Sequence, residues 1–320
     1  MVLKACNGLA GLALVTLLAL GAPALASPAT RSEPATTALV RRAEAGEVKA
    51  YSLLAKHYLD GKTKTRDVEA AVRWLQAGVK AGDPDCMIDL GNLYYEGKDL
   101  EQDDAKALAL YVAAASQGDA LGAYNAGLVY ETSDEDIAHA LDWYRRAAAG
   151  GDQGGMYKIA KAYELGRGVG ADQAQAVAWM RKAAGAGSAD AMNDLGAYYA
   201  DGEGVPLDAG RAFGLYLNAA EQGLAVAMAN VAGAYQDGDG VPVDALKARD
   251  WYVLSANAGN VTAYYDLAQM YEDGEGVKAS AAKAVELYRA ATKSEDDDVV
   301  DAAQDAIERL ESGTSETPIA

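Results

Sequence analysis

The chain has 320 residues, 51% of them hydrophobic, with 19 Tyr against a single Phe and only 7 Pro, a balance that favours helices. Its formal net charge of −19 repels nucleic acid and anionic lipid, so neither is expected as a partner. Solubility, or attraction to basic partners, accounts better for such acidity.

Residues 1–26 read as a signal peptide. Lys4 supplies a thin positive start, Leu9 to Leu20 forms an apolar run, and Ala24-Leu25-Ala26 offers small residues for cleavage before Ser27. The run is about a dozen residues, short of the roughly 20 that span a bilayer, so no membrane insertion is expected after cleavage. Losing Lys4 takes the charge from −19 to −20. A periplasmic or secreted location follows. Cys6 lies before the apolar run and so cannot be the lipid-bearing cysteine that follows one. The mature chain keeps Cys86 alone, which rules out an intramolecular disulfide. Residues 27–36 are expected to be disordered. Residues 37–46 have the phase of a lone second helix, over Ala38 to Ala45, and make an N-terminal half-repeat cap.

Residues 47–295 hold an internal repeat. Tyr58, Tyr94, Tyr130, Tyr163, Tyr199, Tyr235 and Tyr271 are spaced 36, 36, 33, 36, 36 and 36 residues apart. Gly82, Gly118, Gly151, Gly187, Gly223 and Gly259 mark the unit ends in the same phase. The single short interval places a three-residue deletion between Tyr130 and Asp136.

Each unit predicts two helices. Four residues before the tyrosine stands an apolar residue, as in Leu54, Leu90 and Leu195, followed by a small one such as Ala55, Gly91 or Gly196. Eight before it stands another small residue, as in Ala50, Cys86 and Ala191. This stripe is one face of a first helix, and it assigns Cys86 to the core. A glycine turn such as Gly202-Glu203-Gly204-Val205-Pro206 follows; its first glycine suits the left-handed residue that ends a helix. Then come Asp67, Asp103, Asp136, Asp172, Asp208, Asp244 and Ser280, the N-caps of a second helix. That helix carries alanine four residues on and Trp74, Leu110, Trp143, Trp179, Leu215, Trp251 or Leu287 seven residues on, large side chains that interlock with small ones.

Residues 296–312 continue the first-helix phase as a C-terminal cap over Val299 to Leu310. Ile307 takes the tyrosine's place, and Asp301, Asp305, Glu308 and Glu311 form a wettable outer side. Residues 313–320 are expected to be a disordered tail.

The unit A-x-x-x-L-G-x-x-Y-x-x-G-x-G-V-x-x-D-x-x-x-A-x-x-W-Y-x-x-A-A-x-x-G, carried almost whole by Ala191 to Gly223 and Ala227 to Gly259, resembles the Sel1-like repeat, a relative of the tetratricopeptide repeat. The resemblance implies an all-α fold: a right-handed α-solenoid, or superhelix, of seven 36-residue helix-turn-helix repeats with capping helices, used as an adaptor surface. One secreted subgroup, linked to β-lactam binding, staples each repeat with a disulfide. This chain lacks those cysteines.

Little points to chemistry, and no cofactor is expected. Ser280-Ala-Ala-Lys283 matches the S-x-x-K pattern of penicillin-recognising enzymes. However, Ser280 falls on the N-cap column, Lys283 on the column of Lys106, Arg211 and Lys247, and no S-D-N or K-T-G triplet accompanies them. A cell-wall-active or β-lactam-binding enzyme is therefore the alternative reading, and a host-directed effector a third. Acidic turns such as Asp237-Gly238-Asp239-Gly240 lack the ligand spacing of a calcium loop. His57 and His139 stand in different units without cysteine companions and are expected on the exposed surface, so no metal is expected.

What remains is surface for a protein or peptide. In related superhelices the first helices line the concave side. Six residues before the repeat tyrosine lie Tyr124, Tyr157, Asn193 and Tyr265, which either grip a partner or pack between neighbouring first helices. Asn92, Asn125, Lys158 and Lys161 hold positions comparable to those with which tetratricopeptide modules clamp a terminal carboxylate. The expected function is a periplasmic or secreted scaffold or regulatory adaptor that binds protein on this face. The patch around Tyr124, Asn125, Tyr157 and Lys158 leads the candidates.

Overall fold

The computed structural model describes residues 35–60, 66–132 and 136–314, and the expected signal peptide lies outside them. Among the described residues there are sixteen helices and no strand. The N-terminal cap is α1 (Ala35–Glu44). Seven first helices follow: α2 (Val48–Asp60), α4 (Pro84–Glu96), α6 (Ala120–Thr132), α8 (Gln153–Leu165), α10 (Ala189–Asp201), α12 (Ala225–Asp237) and α14 (Ala263–Asp273). They alternate with seven second helices: α3 (Val68–Lys80), α5 (Asp104–Ser116), α7 (Ile137–Ala149), α9 (Gln173–Gly185), α11 (Ala209–Glu221), α13 (Ala245–Asn257) and α15 (Ala281–Ala291). The C-terminal cap is α16 (Asp297–Thr314).

Every helix packs on the one before and the one after it, and α2 also touches α4, and α4 touches α6, so the molecule is an α-solenoid. No helix among the described residues is long and apolar enough to cross a membrane.

The local chemistry of each unit explains its two helices. All seven expected N-cap side chains accept a hydrogen bond from the backbone N–H three residues on, from Asp67 to Ala70 (2.9 Å) through to Ser280 and Lys283 (3.3 Å). The same residue's own N–H donates to the carbonyl of the repeat tyrosine, as in Asp208 to Tyr199 (2.8 Å) and Asp244 to Tyr235 (2.8 Å). The shortened third unit keeps this closing bond between Asp136 and Tyr130 at 2.9 Å, so the deletion falls inside the loop and leaves both helices in phase. Gly202 closes α10 at φ +74°, as the turn requires.

The core departs from the expected pattern in one column. The Trp or Leu residues seven after the cap are mostly half-buried, and the deepest side chains of the second helices stand one residue later: Leu75, Tyr111, Tyr144, Met180, Tyr252 and Tyr288. The small residue of the first helix makes room for them. A Cβ placed on Gly91 would sit 2.6 Å from the Tyr111 ring, one on Gly127 2.6 Å from Tyr144, and one on Gly196 2.7 Å from Tyr216.

Both ends extend beyond the expected limits. Ala35 and Thr36, expected to be disordered, belong to α1, which lays Leu39, Val40 and Ala43 against Tyr51, Tyr58 and Trp74. Helix α16 runs on to Thr314, burying Ala303 and Ala306 while Asp301, Asp305 and Glu308 stay exposed. His57 is half-buried rather than exposed, because α1 brings the Thr36 hydroxyl to 2.5 Å from its Nε2. His139 does lie at the surface, stacked on Tyr130 and bonded to Asp136 at 2.6 Å.

Cys86 is fully buried and its thiol donates to Asp83 at 3.2 Å. Burial, reinforced by that acidic neighbour, pushes the thiol well above its ordinary pKa. A thiolate-specific disulfide reagent is therefore expected to leave Cys86 untouched in the native protein and to label it fully in denaturant, which absorbance titration would check.

Candidate functional site

The described side chains of the expected patch all lie on first helices, but most of them already have partners within the chain. Tyr111 donates its hydroxyl to Asn92 Oδ1 at 2.7 Å, and Asn125 Nδ2 approaches the same oxygen at 3.5 Å. Tyr124 lies against Gly154 and tilts onto the Tyr144 ring with centroids 5.7 Å apart. Tyr157 donates to Asp194 at 2.9 Å. Lys158 pairs with Glu131 at 2.8 Å, and Lys161 with Glu164 at 2.5 Å and Asp194 at 3.5 Å. Asn193 accepts from Asn230 at 2.8 Å, and Tyr265 meets Tyr288 edge to face at 5.3 Å.

Asn92 and Asn125 thus come together, and so do Tyr157, Lys158 and Lys161 around Glu131 and Asp194. Asn193 and Tyr265 stand elsewhere along the face. Of the two sequence readings of the tyrosine column, packing between neighbouring first helices describes Tyr124, which lies against Gly154 of α8, whereas Tyr265 packs on Tyr288 of the second helix α15.

The electrostatics of the patch follow from these contacts. Burial disfavours the Glu131 carboxylate, but bonds from Lys158 and the Tyr144 hydroxyl outweigh that cost and hold its pKa below the usual range. Burial raises the Tyr157 hydroxyl, with Asp194 adding to the effect, so it stays protonated as a donor.

Three cavities open along this face. One of about 320 Å³ is lined by Asn92, Tyr95, Tyr111, Leu121 and Asn125. A second of about 210 Å³ holds Glu131, Tyr144, Tyr157, Lys158, Lys161 and Leu165. The third and largest, about 560 Å³, lies among α10 to α14 and includes Leu207, Phe213, Tyr216, Val226, Tyr252 and Asp266. Each is walled by a second-helix tyrosine, and each includes an aliphatic side chain left in solvent: Leu121, Leu165, Leu207 and Val226 are 47%, 57%, 69% and 51% exposed. The tyrosine walls escaped the sequence reading although the W-Y step of the motif carries them.

Ser280 and Lys283 do not form a catalytic pair. The Ser280 hydroxyl accepts from the Lys283 backbone N–H, and Lys283 Nζ reaches Glu286 at 2.8 Å. Ser280→Ala is accordingly expected to cost about 1 kcal/mol of stability through the lost cap, measured by urea denaturation. Among the described residues no group of three or more His, Cys, Asp or Glu is placed to hold a metal ion.

Solved structures place this architecture. A protective antigen present in uropathogenic Escherichia coli strains, displaying an SLR fold, matches at 30% identity with a TM-score of 0.68, over 82% of this chain and 56% of that one. The chain thus spans little more than half the length of that antigen. A Sel1 repeat protein from Oxalobacter formigenes matches at 28% identity and a TM-score of 0.63, over 82% of this chain and 98% of that one. No curated protein matches the chain. The model of the Sel1 repeat matches seven times, at residues 48–83, 84–119, 120–152, 154–188, 189–224, 225–260 and 261–296. With seven consecutive units matched from 48 to 296, the chain belongs to the Sel1 repeat family.

Proposed function

We propose that the chain is a secreted or periplasmic scaffold that binds a protein partner along its first-helix face. Sel1-repeat proteins are generally protein–protein interaction scaffolds. The observation that carries the reading is the row of three cavities, each walled by tyrosine and bordered by solvent-exposed leucine or valine. Exposed aliphatic side chains beside aromatic-walled hollows mark surfaces that a partner covers. The apolar run at Leu9 to Leu20 and the small residues before Ser27 support export.

Crosslinking in the native compartment tests the binding claim, and N-terminal sequencing of the recovered chain tests export. A captured protein whose affinity falls about tenfold with Lys158→Ala, on a chain beginning at Ser27, is the expected result. An unchanged affinity would remove Lys158 from the interface. A chain still beginning at Met1 and confined to the cytoplasm would overturn export.

A further inference from the structure

Three units carry an aspartate five residues before the repeat tyrosine, Asp89, Asp194 and Asp266, and these form a ladder between first helices that fails at one rung. The first two take donors from the preceding unit 37 and 33 residues earlier. In the second unit Asp89 is met by Ser52 at 2.7 Å and Lys56 at 3.0 Å. In the fifth, Asp194 is met by Tyr157 at 2.9 Å and Lys161 at 3.5 Å. In the seventh the acceptor is Asp266, and the two donor positions are Ala229 and Gly233. Neither can donate from a side chain, and the space they leave is part of the cavity of about 560 Å³.

No Lys, Arg or His among the described residues lines that cavity, which also carries Asp239. Burial, with no compensating cation, pushes the Asp266 carboxyl up to about 6. The remaining wall is apolar and aromatic: Phe213, Tyr216 and Tyr252, with Leu207 and Val226 exposed beside them. Such a site suits a long aliphatic stem ending in a cation. The fifth unit shows which one, since Lys161 occupies the column of Gly233 and reaches the carboxylate there. A chain of net charge −19 also draws basic partners.

We propose that this cavity receives a lysine side chain of the protein partner, whose ammonium completes at Asp266 the pairing that Lys56 and Lys161 make within the chain. The proposal rests on the scaffold reading above and adds the chemistry of one contact.

The probes are Nα-acetyl-lysine methylamide and its norleucine counterpart, which keeps the stem and lacks the ammonium. Each is titrated into the full chain and followed by NMR. The lysine probe is expected to shift the Gly233, Asn260 and Thr262 amides saturably at concentrations on the order of 10 mM. The norleucine probe should bind about tenfold more weakly, and Asp266→Asn should abolish the difference. Asparagine already stands in this column at Asn125 and Asn230, so the variant is expected to fold.

Gly233→Lys supplies the missing side chain from within. It should raise the melting temperature, block the lysine probe, and lose its added stability when combined with Asp266→Asn. Equal binding of the two probes, no saturable shift, or a Gly233→Lys chain without the gain would overturn the proposal. These outcomes are separate from partner capture: a captured partner with an unresponsive cavity rejects only the lysine contact, and a responsive cavity without a captured partner rejects only the scaffold reading.

Discussion

Gly240→Ala is expected to destabilise the protein by roughly 3 kcal/mol or more, the largest effect of any single methyl group added to the turns. Gly240 lies between α12 and α13 with φ +73°, where a side chain costs about 1–2 kcal/mol. Its Cβ would also stand 2.1 Å from the carbonyl oxygen of Ala209 and 2.4 Å from the carbonyl carbon, at the start of α11. Backbone cannot rotate away as a side chain can, so overpacking adds about 1–3 kcal/mol or more.

The contact recurs as a joint between units. Gly276 meets Ala245 at the start of α13, Gly204 meets Gln173 at the start of α9, and Gly168 meets Ile137 at the start of α7. Because a solenoid is held by contacts between neighbours, the damage should stay local, with hydrogen exchange rising first in α11 to α13. Gly223→Ala is the control. Its φ is +95° but its Cβ would meet nothing within 4 Å, so it should lose only the conformational part. Equal losses for the two variants would show that the joint carries no load.

Tyr111→Ala is expected to cost about 3–5 kcal/mol, as truncation of a large buried aromatic does. The ring is 1% exposed, lies against Gly91, and gives its hydroxyl to Asn92. Removing it opens a void between α4 and α5 and takes the donor from Asn92. Tyr111→Leu should recover most of the loss, because Leu75 fills the equivalent place in the first unit and is itself fully buried. Denaturant midpoints of the two variants check this. A leucine variant no better than alanine would mean that the hydroxyl contact, rather than volume, sets the stability of the unit.

The period, the glycine turns and the seven caps were legible because each rests on local chemistry repeated in phase. Asp208 caps α11 for the same reason that Asp67 caps α3. The burial of Cys86 was legible too, from the small residues that share its column. Contacts between units were harder to read. The ladder joins Ser52 to Asp89 and Tyr157 to Asp194 at a separation of 37, one more than the period, so aligned columns do not show it. Lys158 and Lys161 read as available cations until Glu131, Glu164 and Asp194 are placed beside them. Ala229 and Gly233 read as ordinary small residues, and only the position of Asp266 reveals what they omit. His57 was misplaced because α1 begins at Ala35, three residues before the Ala38 at which its pattern starts.

Whether a protein partner covers the first-helix face is decided by a photocrosslinking amino acid placed at single positions in the producing cell. Leu121 and Leu165 belong to two of the cavities, while Arg145 on α7 and Glu221 on α11 are exposed on second helices. A partner captured from Leu121 and Leu165 and not from Arg145 or Glu221 is the expected result. Capture from Arg145 or Glu221 without capture from the two leucines would contradict it.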